Sequence, residues 1–124
     1  MDSISPNIFV KDINKTIDFY KQLGFDVIMT VPEEGNITWA MMTCGNVTFM
    51  FQTLESLGAD LPAIKRQDGG SLLLYIQTKG IRDLHDRIKN KVNIVKGLDK
   101  TFYGATEFSI VDINGYILTF AEDE

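Results

Sequence analysis

The chain repeats itself, and that repeat limits its possible folds more than any other feature. Asn7 to Tyr20 opens as a short strand running into an amphipathic helix, and Leu73 to Ile88 does so again. Each copy then reaches a hydrophobic strand carrying one hydroxyl, Val47-Thr48-Phe49 in the first and Leu118-Thr119-Phe120 in the second. The copies are offset by about 66 residues at their starts and about 71 at these strands, as expected where loops differ and elements match. Two such modules predict a site built where they meet.

Within the first copy, Ser5 to Val10 reads as a strand. Asp12 or Asn14 then caps a helix whose apolar stripe is Ile13, Ile17, Tyr20 and Leu23, stopped by Gly24. Asp26 to Val31 is a β-branched strand, Pro32 to Asn36 a turn, and Ile37 to Thr43 and Val47 to Thr53 flank a tight hairpin at Cys44-Gly45-Asn46. Leu54 to Gly70, with Gly58, Pro62 and Gly69-Gly70, is the longest irregular segment and a candidate lid. The second copy predicts strands at Ser71 to Thr78, Val92 to Lys96, Ala105 to Val111 and Tyr116 to Glu122. Its helix runs from Ile81 to Lys91 with the stripe Ile81, Leu84 and Ile88.

The length of 124 residues, 44% of them hydrophobic, suffices for one core and not for a second independent one. The expected organisation is a single domain, 1–124, with module one at about 1–54, a linker at about 55–70 and module two at about 71–124. The net charge is -5 and the basic residues are scattered, which argues against a nucleic-acid partner. The single cysteine, Cys44, fits a reducing compartment. With no basic-then-apolar leader at the start and no apolar run of membrane-spanning length, the expectation is a cytoplasmic protein with no membrane partner.

Residues two apart on a strand share a face. Ile4, Ile8 and Val10 therefore oppose Ser5, Asn7 and Phe9, and Phe49 and Phe51 oppose Thr48, Met50 and Gln52. In the second copy Leu72, Leu74 and Ile76 oppose Ser71, Leu73 and Tyr75, while Leu118 and Phe120 oppose Ile117, Thr119 and Ala121. The first face of each strand predicts packing under the helices. The second mixes small polar, Met and aromatic residues, which suits a cavity for a partly apolar ligand.

The segment Tyr103 to Tyr116, with Tyr103-Gly104, Glu107-Phe108 and Asp112-Ile113-Asn114-Gly115, resembles the closing signature of the vicinal oxygen chelate superfamily of glyoxalase I, ring-cleaving dioxygenases and bleomycin-resistance proteins. Phe9 to Phe25 looks like the family's first strand and helix, and Trp39 to Gln52 like its central hairpin. The likeness spans essentially the whole chain and departs at Ile113, where the family's turn proline is absent. It implies an α+β fold in which two βαβββ modules form a U-shaped mixed sheet, with helices outside, the site in the concavity, and commonly a homodimer. In metal-dependent members, four His or Glu side chains hold a divalent ion. The corresponding positions here are Ser5, Thr48, Ser71 and Thr119, whose neutral hydroxyls are poor ligands. No metal or other cofactor is expected.

His85 follows Leu84 on the second helix and is expected on the surface, and Cys44 lacks a histidine to activate it. Glu107 occupies the family's Glu-Phe position and is the candidate catalytic residue, provided that its pKa is raised. Trp39, Tyr75, Phe102, Tyr103 and Phe9 can wall a cavity by stacking, or pack as ordinary core. Asn7, Gln52 and Tyr75 can orient a polar group. Glu33, Glu34, Asp60, Glu122, Asp123 and Glu124 read as solvated charges.

Two function classes follow. The favoured one is a metal-free protein binding a partly apolar or aromatic small molecule. Its cavity is drawn from Ser5, Asn7, Phe9, Trp39, Thr48, Met50, Gln52, Ser71, Leu73, Tyr75, Phe102, Tyr103 and Thr119. The alternative is a glyoxalase-like lyase or isomerase using Glu107 or an atypical metal site.

Overall fold

The computed structural model describes residues 1–67 and 69–124; Asp68, in the predicted linker, lies outside the described residues. The strands are β1 Asn7–Val10, β2 Asp26–Val31, β3 Trp39–Cys44, β4 Val47–Thr53, β5 Leu73–Gln77, β6 Asn93–Lys100, β7 Ala105–Val111 and β8 Ile117–Asp123. The helices are α1 Ile13–Leu23, α2 Leu54–Leu57 and α3 Ile81–Ile88. Two compact units divide the chain, Met1–Asp68 and Gly69–Glu124.

Each unit holds one four-stranded sheet, ordered β1-β4-β3-β2 in the first and β5-β8-β7-β6 in the second. In both, the first strand lies parallel to the last and the remaining neighbours are antiparallel. A parallel pair cannot be closed by a hairpin, so each module inserts its helix and two further strands between the partners. The chain is thus α+β, with two βαβββ modules, and the repeat read from the sequence is a repeat of topology.

In module one, Asp12 caps α1 by accepting a hydrogen bond from the Lys15 N–H at 3.0 Å. Gly24 ends the helix at φ 105°, a left-handed conformation that glycine adopts without a Cβ penalty. The buried stripe, Ile13, Thr16, Ile17, Tyr20 and Leu23, lies on the sheet's Ile8, Val10, Phe49 and Phe51. Tyr20 is fully buried, its ring centroid 4.7 Å from Phe51, 5.6 Å from Phe25 and 5.8 Å from Phe49. Phe25 stacks on Phe49 at 5.2 Å. These edge and stacked contacts make the aromatic set a single packed unit.

Module two repeats the plan with Ile81, Leu84 and Ile88 buried on α3, and Phe108, Ile110, Leu118 and Phe120 buried on its sheet. Here the structure corrects several expectations. Residue 80 is a glycine and offers no side-chain cap, so Glu122 on β8 supplies one: its carboxylate accepts from the N–H groups of Gly80 and Ile81, both at 3.0 Å. Glu124 accepts from Arg82 at 2.7 Å and from the Thr106 hydroxyl at 2.5 Å. Both carboxylates, expected as solvated charges, tie β8 and the residue after it to α3 and β7. His85, expected on the surface, is half-buried; it packs edge-on against Phe108 at 5.1 Å, with Nδ1 buried, 3.7 Å from the Asp86 carboxylate and without a hydrogen-bond partner among the described residues.

The helix expected to reach Lys91 ends at Ile88, and the strand expected to stop at Lys96 continues to Lys100 through two irregularities in its pairing with β7. Ile4 and Leu72, assigned to the packed faces, precede their strands and are exposed. A four-residue helix, α2, opens the predicted irregular segment and is capped by the Thr53 hydroxyl.

The packing predicts that Phe51→Ala destabilises the protein by about 3–5 kcal/mol, the usual cost of removing a buried aromatic ring. Met29→Ala, at a half-exposed position on the sheet's other face, is expected to cost within about 0.5 kcal/mol. Urea denaturation checks both; a small loss at Phe51 would contradict the assignment of faces.

Candidate functional site

A single helix leaves each sheet with a second face, and strand register states what occupies it, because directly paired residues point the same way. In module one, one row runs Asn7, Met50, Met41, Met29 across β1, β4, β3 and β2. The next runs Phe9, Gln52, Trp39, Val31, and a third places Thr48 beside Thr43 and Asp26. Asn7 donates to the Gln52 carbonyl at 3.0 Å, linking the first two rows. Met29 and Val31 are 54% and 50% exposed, so this face is apolar and open at its β2 side.

The six residues expected on β1, β3 and β4 of this face, Asn7, Phe9, Trp39, Thr48, Met50 and Gln52, are therefore brought together. Sequence reasoning missed Met29 and Met41. Met41 was legible, since it alternates with Trp39 and Thr43. Met29 was not, because a shift in register between Val27 and Met29 breaks the strict alternation of β2.

The corresponding face of module two is polar, buried on its central strands β7 and β8 and exposed at Tyr75 on β5 and Lys96 on β6. One row runs Tyr75, Thr119, Ser109, Lys96 across β5, β8, β7 and β6, and the next places Glu107 between Ala121 and Asp99. Ser109 and Thr119 share a buried hydroxyl–hydroxyl hydrogen bond of 2.8 Å. Glu107, 8% exposed, accepts from the phenols of Tyr75 and Tyr103, each at 2.5 Å and both on Oε2. Tyr103 reaches it from the loop before β7, where Thr101 bonds both the N–H and the carbonyl of Ala105 through its hydroxyl.

The two phenols, Tyr103 foremost and then Tyr75, hold the Glu107 carboxyl below the usual glutamate range; burial opposes them and Lys96 adds to the lowering. The same bonds push both phenols up, Tyr75 strongly, because its proton is held against the Glu107 carboxylate and burial disfavours the phenolate. Glu107 thus departs from the requirement set for a general base. A carboxylate held below its usual range is charged and clamped, and it is a poor proton acceptor.

The remaining expected residues are dispersed. Ser5 precedes β1 and Ser71 precedes β5. Register puts Tyr75, not Ser71, opposite Thr119. Leu73 and Phe102 are exposed, Phe102 completely, with its ring edge-on to Tyr103 at 5.0 Å. The Thr48 hydroxyl lies 3.5 Å from that of Thr43, and the Thr119 hydroxyl is engaged with Ser109. Neutral hydroxyls so placed do not fit a divalent ion, and among the described residues no group of three or more His, Cys, Asp or Glu side chains is arranged to hold one. Among the described residues no helix is long and apolar enough to cross a membrane.

Two βαβββ modules, each with a helix covering one face of its sheet, define a known class of small proteins. The chain belongs to the Glyoxalase/Bleomycin resistance protein/Dioxygenase superfamily, whose family model matches residues 2–120. No curated protein matches the sequence. Among solved structures, TioX from Micromonospora sp. ML1 is 16% identical over 100% of both chains, with a TM-score of 0.79. A bleomycin-binding protein complexed with bleomycin is 18% identical over 100% of both chains, with a TM-score of 0.71. A glyoxalase/bleomycin resistance protein/dioxygenase family enzyme from Burkholderia phytofirmans PsJN is 19% identical over 97% of both chains, with a TM-score of 0.77. At these identities the likeness is one of fold.

The Glu107 cluster predicts a pH signature. A lowered glutamate pKa contributes stability that is complete above the unfolded value, about 4.3, and is lost as pH falls through the folded value. Raised tyrosine values contribute stability that is complete below about 10 and is lost as pH rises through the folded values. In a spectrophotometric titration Tyr75 and Tyr103 should ionise late, and Glu107→Gln should bring these two back towards about 10. Ordinary titration of Tyr75 and Tyr103 in the unaltered protein would contradict the cluster.

Proposed function

We propose that this chain is a metal-free small-molecule binding protein whose ligand is partly apolar or aromatic. The observation that carries the reading is the open face of module one. Its methionine row, Met50, Met41 and Met29, runs beside Phe9 and Trp39, with the Asn7–Gln52 pair between them as the polar element. Methionine adapts its shape to a ligand and contacts aromatic rings favourably, while one amide pair suffices to orient a polar substituent. The bleomycin-binding protein complexed with bleomycin supports the reading, because it shares this fold and holds a small molecule.

Two features favour binding over lyase or isomerase chemistry. The metal-ligand positions carry hydroxyls, and Glu107 is a clamped anion in place of a base with a raised pKa. A cytoplasmic location and a homodimer complete the proposal; light scattering on purified protein tests the second.

The test has two parts. Protein incubated with nickel, zinc, manganese or iron and freed of excess should retain far less than one ion per chain by elemental analysis. In a thermal-shift screen of aromatic compounds, a ligand present at 100 times its Kd stabilises by about 2.7 kcal/mol, raising Tm by several degrees. Trp39→Ala and Met41→Ala should each reduce that shift. Stoichiometric metal, with a metal-dependent rate lost in Glu107→Gln, would replace the binding reading with an enzymatic one.

A further inference from the structure

Module two holds a second arrangement that the apolar face of module one does not explain. Glu107 is a buried carboxylate, yet both of its hydrogen bonds fall on one oxygen. Among the described residues nothing is bonded to Oε1, and this oxygen is not wholly closed off from solvent. The rings that hold the other oxygen are themselves half-exposed, Tyr75 at 48% and Tyr103 at 56%, and Phe102 extends the aromatic surface beyond Tyr103.

We infer that Glu107, Tyr75 and Tyr103 form a subsite for a protonated amine carried on an apolar body. The ammonium N–H donates to Glu107 Oε1, where a charge-assisted bond is shorter and stronger than a neutral one. The ring faces of Tyr75 and Tyr103 attract the same charge through their quadrupoles. Each phenol, by donating its proton to a carboxylate, leaves its ring richer in electrons. Both tyrosine hydroxyls are already committed as donors, so an anionic or purely acceptor group finds no free donor from them at this oxygen.

Lys96 is the competing feature. It sits on β6 opposite Ser109 and acts on Glu107 at long range, as the weakest influence on its charge; no ion pair within 4.0 Å joins the two. Its side chain is exposed and free to turn to solvent when a ligand cation arrives.

The inference deepens the small-molecule reading and rests on it, so the probes separate the two. Phenethylamine, charged at pH 7, is compared by calorimetry with neutral 2-phenylethanol and anionic phenylacetate, which share its apolar body. The amine should bind at least about tenfold more tightly than the alcohol, as one charge-assisted bond implies. Glu107→Gln should erase the difference and Tyr103→Leu should reduce it. If Glu107→Gln fails to fold, Tyr103→Leu, altered at a half-exposed loop position, decides the question. Equal binding of all three compounds overturns the cation subsite while leaving the apolar-ligand reading in place. Binding of none overturns the subsite and counts against both. A preference for phenylacetate assigns the local charge to Lys96 and also overturns it.

Discussion

One helix can cover only one face of a four-stranded sheet, and the rest of this structure follows from that limit. In module one, Tyr20 and its aromatic neighbours on β4 and in the turn after α1 fill the helix-covered side. Side chains alternate, so every residue spent on that packing places its neighbour on the uncovered side. The fold therefore obliges the chain to present Met50, Gln52, Trp39 and their partners where no helix shields them. An exposed apolar face of this kind is a liability in an idle scaffold and, in the proposed binding protein, the surface offered to the ligand.

The two modules share this plan and use it differently. Module one presents methionine and aromatic groups with a single amide pair. Module two buries hydroxyls and a carboxylate on the equivalent face, which is possible only because each has a partner: Ser109 with Thr119, and Glu107 with two phenols. The energetic logic explains the direction of the Glu107 shift. Burial alone raises a carboxyl pKa, and two charge-assisted bonds outweigh it. The duplication thus keeps the architecture constant while the chemistry of the uncovered faces diverges, as expected when function resides in sites placed on a common fold.

Elements with local causes were legible in the sequence. α1 was readable from its stripe, its Asp12 cap and its Gly24 stop, and β4 from its phenylalanines alternating with polar partners. Features with distant causes were not. The cap of α3 comes from Glu122, 41 residues beyond Ile81, so that helix carried no local start signal and its carboxylate looked like a solvated charge. The bulge in β2 concealed Met29, and Ser71, expected to open β5, precedes that strand. Glu107 was singled out for its place in a motif, yet its role depends on Tyr75, 32 residues away, and on the turn that positions Tyr103. Strand register and long-range hydrogen bonds are the information that a single sequence withholds most completely.

The most direct test of the central claim uses the methionines as reporters. Met29, Met41 and Met50 line the uncovered face of module one, while Met42, fully buried and one residue from Met41, lies on the helix side of the same strand. In protein labelled with carbon-13 at the methionine methyl groups, titration with an aromatic ligand that raises Tm should shift the signals of Met29, Met41 and Met50 and leave that of Met42 in place. Shifts at Met42 alone, or stabilisation with no change at the other three, would contradict the assignment of this face as the ligand surface.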